Sequence, residues 1–351
     1  MNKNYINLIN NQIWEDNLKK IILVMCITVL FFSSGCTKKN KINMYKDNEL
    51  KIAVEYTNHA ASYYYAKENN YFEEEGLKIE NTNIYVSGVN LAAAFSKGEF
   101  DIGYMCVVPA ITAYANAGVP IKIIAGTHKN GYGLVVNKEK IKELKDLEKD
   151  NIIISNGRKG TTTDFLMMVL VEKENLDSNK ILKNTVRMNA TKQIMALKNG
   201  QVDAVFVPEH FATLASNFKG MEMLVKSNDI WKDMQGSVLV ATNTLIKEKP
   251  KIIEKIKKIN RLSIESMGKN PEKTGEIIAE SLNINQSIAK KETKNPGAEI
   301  EVTSLIAEES MKNLRVTTDI DELEIQRIID QMYSFGYIKE KFNAKEIMIK
   351  N

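Results

Sequence analysis

Between Ile84 and His128 the chain reads IYVSGVNLAAAFSKGEFDIGYMCVVPAITAYANAGVPIKIIAGTH, and this alternation restricts the fold more than any other stretch. A short apolar run ends at Ser87-Gly88, and a helical pattern covers Asn90 to Lys97. After Gly98 come a strand pattern from Phe100 to Val107 and a second helical pattern from Pro109 to Asn116. Gly118-Val119-Pro120 then leads into a strand from Ile121 to Ala125. Two β-α-β units in succession predict a parallel sheet with helices packed on it. About a hundred residues later, ALKNGQVDA (Ala196 to Ala204) echoes AFSKGEFDI (Ala94 to Ile102). Each reads as a helix end, a glycine that supplies the left-handed stop, a polar residue, an apolar one, an Asp and a strand. The repetition predicts two lobes built on one plan.

The flanking segments fit that plan. Leu50 to Tyr56 is a strand, Thr57-Asn58-His59 its turn, and Ala60 to Asn69 a helix carrying Tyr63, Tyr64 and Tyr65. Three consecutive tyrosines span most of a helical turn, so at least one is expected at the mouth of a site. Leu77 to Val86 is the second strand and Gly133 to Val136 a strand crossing to the second lobe. Asn151 to Ser155, Val186 to Met188 and Val202 to Val207 are further strands, with helices at Phe165 to Lys173 and Thr191 to Asn199. Ser237 to Thr242 returns to the first lobe. Pro250 to Gly268 is a helix, Lys290 to Glu299 a loop, and Asp321 to Phe335 and Ala344 to Lys350 are closing helices.

In open α/β sheets, ligands sit beyond the carboxyl ends of the strands, where helix N-termini offer free N–H groups. That places Glu55 and Tyr56, the turn residues Asn58 and His59, and the helix start Ser87, Gly88 and Val89 among the candidate ligand contacts. Tyr104, Met105 and Cys106 end the next strand, and His128 the one after. In the second lobe the turn with Arg158, Lys159, Gly160, Thr161 and Thr162 occupies the place of Ser87-Gly88, and Glu209 and His210 follow a strand. Two facing helix N-termini with Arg158 and Lys159 suit an anion, whereas Glu55 and Glu209 suit an amino group or ring nitrogens. A zwitterion satisfies both. The turn lacks the Gly-Lys-Ser/Thr ending of a Walker loop. His59, His128 and His210 all follow strands, which leaves a metal site as an alternative.

Other classes have less behind them. The net charge of +4 comes with Lys and Glu intermixed and no basic stripe, which argues against nucleic acid. No Ser-His-Asp ordering, nucleophile elbow or carboxylate pair marks an enzyme, and no cofactor is expected. Near the start, Lys19-Lys20 precede an uncharged run from Ile21 to Phe32, then Ser33-Ser34-Gly35-Cys36. That is the arrangement of an export signal, too short to span a bilayer comfortably. Gly35-Cys36 resembles a lipobox, in which Cys36 would carry a lipid, although Ser33 departs from the usual aliphatic residue. With Cys26 and Cys36 in this segment, only Cys106 remains for the domain, so no disulfide can brace it.

The order and spacing of these features resemble the substrate-binding proteins of ABC importers, in the nitrate/sulfonate/taurine/thiamine-pyrimidine group. The residues concerned include Asn58-His59-Ala60, Ala66 to Phe72, Glu75-Gly76-Leu77, Gly98 to Asp101, Ala117 to Pro120, Leu144 to Leu147 and Gly200 to Ala204. The resemblance implies an α/β, two-lobed periplasmic-binding-protein-like fold, each lobe a mostly parallel sheet flanked by helices, with the ligand cleft between them. It implies residues 1–36 as signal peptide, 37–49 as tether, 50–131 as the first part of lobe 1, 132–236 as lobe 2 and 237–351 as the return. The expected protein is a monomer held outside the cytoplasmic membrane by lipid. It would capture a sulfonate, taurine or nitrate by lobe closure and deliver it to a permease driven by an ATPase. A thiamine-precursor aminopyrimidine is the alternative ligand. Relatives that make the thiamine pyrimidine carry a cysteine-rich signature that this chain lacks.

Overall fold

The computed structural model describes residues 48–293 and 300–349, with side chains left aside for 286–293. The expected signal peptide, the lipidated Cys36 and nearly all of the tether lie outside the described residues. So does most of the loop expected at Lys290 to Glu299.

Eleven strands are described: β1 (Glu49–Glu55), β2 (Lys78–Tyr85), β3 (Ile102–Cys106), β4 (Ile121–Asn130), β5 (Tyr132–Asn137), β6 (Ile154–Asn156), β7 (Thr185–Arg187), β8 (Ala204–Pro208), β9 (Met221–Lys226), β10 (Gln235–Thr242) and β11 (Leu314–Val316). They form two sheets, ordered β11-β4-β10-β3-β1-β2 and β7-β6-β8-β5-β9. In the first, β2, β1 and β3 run parallel, and β10 enters antiparallel between β3 and β4. In the second, β7, β6 and β8 run parallel, and β5 lies antiparallel between β8 and β9. The two β-α-β units of the opening stretch therefore do not place their last two strands side by side: the return strand separates β3 from β4. The strands β9 and β11 and the helix Ser304–Met311 were not distinguished in the sequence.

The same five-strand plan, β2-β1-β3-β10-β4 and β7-β6-β8-β5-β9, underlies both sheets. Its landmarks keep a constant register. Lys51 and Ile153, Ser87 and Asn189, Asp101 and Asp203, and Cys106 and Pro208 each stand 102 positions apart. The recurrent Asp has the same task in both sheets. Asp101 Oδ2 accepts the Lys51 N–H at 2.9 Å, and Lys51 O accepts the Asp101 N–H at 2.9 Å. Asp203 Oδ2 accepts the Ile153 N–H at 2.9 Å, and Ile153 O accepts the Asp203 N–H at 2.7 Å. Each Asp braces the start of its neighbouring parallel strand, where a ladder would otherwise leave a donor unpaired.

β3 (IGYMC) is buried at every position, the continuous run expected of a strand covered on both faces. The helix Ala61–Glu68 is buried too. Tyr63, Tyr64 and Tyr65 are at most 3% exposed, so none stands at a site mouth. The expectation fails because this helix is covered by the helices Pro250–Lys269 and Pro271–Thr293 as well as by its own sheet. Tyr63 packs on Tyr104 and Phe72 and gives or takes a bond with Thr82 Oγ1 at 2.7 Å. No helix among the described residues is long and apolar enough to cross a membrane.

Candidate functional site

Strand ends and helix starts of both sheets meet at a cleft of about 340 Å³. Three of the helices that open there are capped by side chains at their N-termini. Ser87 Oγ accepts from Asn90 N (3.3 Å), Thr161 Oγ1 from Asp164 N (3.3 Å) and Asn189 Oδ1 from Lys192 N (2.9 Å). They begin the helices Gly88–Ser96, Thr162–Lys173 and Ala190–Lys198. Cys106 and Pro208 stand at the N-cap positions of two more, Val107–Ala117 and Glu209–Ser216, and also line the cleft. The protein has thus gathered positive helix ends around one small volume.

On the first-sheet wall one of these ends is already filled. Glu55, at the end of β1, accepts the Gly88 N–H at 2.8 Å on Oε1 and the Cys106 N–H at 3.1 Å on Oε2. It therefore satisfies the starts of two helices with a carboxylate of the chain itself. Burial raises its pKa from the usual value, and the hydrogen bonds from Cys106 and Gly88 oppose that rise. Gly88 is required at that contact, since a Cβ there would meet Pro109 Cγ at 2.7 Å and Glu55 Oε2 at 3.0 Å.

The second-sheet wall is basic. Arg158, Arg187 and Lys192 line it. Arg187 pairs with Asp164 Oδ1 and donates from Nη1 to Gly157 O at 2.7 Å, so its place is fixed. Arg158 and Lys192 form no ion pair among the described residues. Position 157 corresponds to Glu55 in the 102-residue register, and here it is glycine. A Cβ there would meet Thr161 Oγ1 at 2.4 Å and Thr163 Oγ1 at 2.9 Å.

Of the expected residues, Glu55, Tyr56, Ser87, Gly88, Cys106, Arg158, Thr161 and Thr162 line the cleft. The others do not. Val89 is carried off the wall by the turn of its helix. Tyr104 and Met105 point into the core within β3, at 2% and 1% exposure. Gly160 forms the turn itself, with φ +91° and its N–H toward Asp164 Oδ2 at 3.3 Å. Asn58 is buried with its Nδ2 on Ser310 Oγ at 3.0 Å.

The three histidines lie near the place where the chain crosses between the sheets. His59 Nε2 donates to Gly131 O at 2.7 Å, so its Nδ1 is the acceptor facing Cys106 Sγ at 3.7 Å. Its ring lies 4.3 Å from that of His128. His210 Nδ1 sits 3.1 Å from Asn58 Oδ1. Burial lowers all three pKa values, that of His59 to about 4. They come together without converging on a point, and among the described residues no three His, Cys, Asp or Glu side chains are arranged to hold a metal ion. Glu209 faces away from the cleft. Its Oε1 accepts from Thr213 (3.2 Å) and Asn313 (2.8 Å), and burial raises its pKa to about 7.

Tyr132, Arg187, Asn189 and Lys192 also line the wall and were not among the expected contacts. Asn189 carried a usable signal: an N-cap residue after a strand, in the place Ser87 holds in the first lobe. Arg187 lay in the strand expected at Val186 to Met188, but its place on the wall is set by Gly157 and Asp164, contacts distant in sequence.

The NMT1-like family matches residues 44–261 of this chain. A Brucella abortus protein is 23% identical over 284 residues, covering 80% of this chain and 83% of its own. Two solved structures share the fold at low identity. The ligand-binding component of an ABC-type import system from Staphylococcus aureus, with zinc bound, has a TM-score of 0.69 at 14% identity, covering 86% of this chain and 96% of that one. The alkanesulfonate-binding protein SsuA from Xanthomonas axonopodis pv. citri, bound to MOPS, has a TM-score of 0.68 at 13% identity, covering 88% and 100%.

Proposed function

Because the chain belongs to the NMT1-like family, we propose that it is the solute-binding component of an ABC importer, and that its solute is a small zwitterion of the aminosulfonate type, taurine being the simplest. The observation that carries this reading is the opposition of charge across the cleft. A buried Glu55 stands on one wall, and Arg158, Arg187 and Lys192 on the other. A plain anion such as nitrate would bring a like charge toward a carboxylate already withdrawn from water, with no donor to offer it. A zwitterion places its ammonium at Glu55. Its sulfonate goes to the basic side, where the Thr162 and Ala190 helices begin. MOPS, held by the Xanthomonas protein, is itself an aminosulfonate. The aminopyrimidine alternative loses Tyr63, Tyr64, Tyr65 and Tyr104 to the core and keeps Tyr56 and Tyr132.

In this reading residues 50–131 and 237–351 make one lobe and 132–236 the other, and the solute bridges them in a closed form that a permease recognises. Residues 1–36 would serve as export signal, with Cys36 lipidated and the monomer tethered outside the cytoplasmic membrane. Thermal melts of the protein with taurine, ethanesulfonate, nitrate and an aminopyrimidine test the solute. Taurine at a hundred times its Kd should add about 2.7 kcal/mol of stability. Ethanesulfonate, which lacks the amine, should add much less, and Glu55→Gln should abolish the difference. A shift from nitrate or ethanesulfonate equal to that from taurine would refute the zwitterion.

A further inference from the structure

Arg187 is held in the cleft by a chain of contacts that begins on the other sheet. Asp164, 2% exposed in the first turn of the Thr162–Lys173 helix, uses Oδ1 to pair with Arg187. Its Oδ2 accepts the Tyr337 hydroxyl at 2.6 Å. Tyr337 does not belong to the second sheet. Its carbonyl accepts Asn116 Nδ2 at 2.7 Å, from the end of the Val107–Ala117 helix. The segment that follows returns to the first sheet. Phe342 lies 4.9 Å from the Tyr114 ring, Met348 bridges to Ile123, and Ile349 N donates to Ile123 O at 2.9 Å. On the opposite side the Tyr337 and Phe335 rings pack on Phe165, at 5.9 and 6.1 Å. The backbone of Tyr337 is therefore tied to one sheet and its phenol to the other.

We propose that Tyr337 is a positioning residue for ligand binding: it makes the placement of Arg187 depend on the two lobes being together, so that the C-terminal segment from Phe335 to Ile349 acts as a strap coupled to cleft occupancy. The strap stands on its own contacts, but its role in affinity rests on the solute-binding reading above. Both Arg187 bonds leave from Nη1, which frees Nε and Nη2 for an anionic group in the cleft. When the lobes separate, Tyr337 stays with Asn116 and Asp164 goes with the second sheet. Asp164 then loses a buried donor, and its hold on Arg187 is no longer shared with Tyr337. By linkage, whatever binds Arg187 in its held position also strengthens the strap.

The test labels arginines of the full chain with phenylglyoxal and reads each site by peptide mass spectrometry, for the wild type, Tyr337→Phe and Asn116→Ala. The second variant cuts the first-sheet end of the strap and stands in if the first fails to fold. The coupling predicts that Arg187 reacts several-fold faster in either variant while Arg158 does not change. Equal Arg187 rates in the wild type and a folded variant overturn it. A second arm adds taurine, which should protect Arg187 in the wild type, with a Kd roughly tenfold weaker in Tyr337→Phe. Faster Arg187 labelling in the variants, without protection by taurine, upholds the strap and counts against the solute. Protection without faster labelling upholds the solute and removes the strap.

Discussion

Three buried histidines contribute stability that is lost on acidification. His59 keeps a folded pKa near 4, below its usual 6.5, because burial disfavours the charged ring, and burial lowers His128 and His210 in the same direction. An unfolded chain takes up protons below pH 6.5 that the folded one refuses, so stability falls as pH drops from 6.5 toward 4. For His59 alone the loss approaches about 3 kcal/mol. Glu209 acts in the opposite sense. Its pKa is raised from 4.5 to about 7, so the folded form holds a proton that the unfolded form has lost, and stability falls as pH rises from 4.5 through 7. Urea melts across pH 4 to 8 should show the two slopes partly cancelling. Glu209→Gln, which keeps the acceptor for Thr213 and Asn313, should steepen the acid side and flatten the neutral side. An unchanged profile in that variant would mean that Glu209 does not titrate in this range. Glu55 was legible as the acid at the end of a strand. That it would cap two helices from inside was not, because its donors Gly88 and Cys106 lie 33 and 51 residues away.

At the level of the element, the repeated glycine-to-Asp motif is a strand brace. Its two copies differ in burial, and that difference makes a prediction. Asp203 is 4% exposed and also pairs with Lys140 Nζ at 2.6 Å, whereas Asp101 is half-buried. Removing the carboxylate leaves Ile153 N–H without its acceptor in one case and Lys51 N–H near solvent in the other. Asp203→Ala should cost about 2–3 kcal/mol and Asp101→Ala about 1 kcal/mol, measured by chemical denaturation. Equal costs would show that the brace is not the source of the motif. The helix starts at Ser87 and Thr161 were legible for the same local reason: each side chain bonds to an N–H group three residues on. The strand β11, three residues long, escaped because no periodicity can be read over that length, whereas the equally short β7 was expected at Val186 to Met188, one residue from its observed bounds.

For the whole molecule, two sheets of one plan share a cleft, and the chain crosses between them at β4–β5 and β9–β10, with the C-terminal segment touching both. Closure on a solute should shrink the particle. Small-angle scattering with and without taurine should give a smaller radius of gyration in the bound state, and Tyr337→Phe should reduce the fraction closed at a fixed taurine concentration. An identical radius with saturating taurine would rule out closure as the mode of capture.

The sequence by itself determined what neighbours along the chain decide: strands that alternate with helices, capped helix starts, glycine stops, and the Asp that recurs in both halves. These are local or repeated contacts, and they leave a pattern. Tertiary structure alone decided which strand ends face the cleft and which are sealed. It buried His59, His128 and His210 near the crossing between the sheets, covered three consecutive tyrosines from several sides, and brought Tyr337 to Asp164 across 173 positions. Such pairings depend on how whole layers pack. Burial and long-range partners follow from that packing, and no spacing in the chain encodes them.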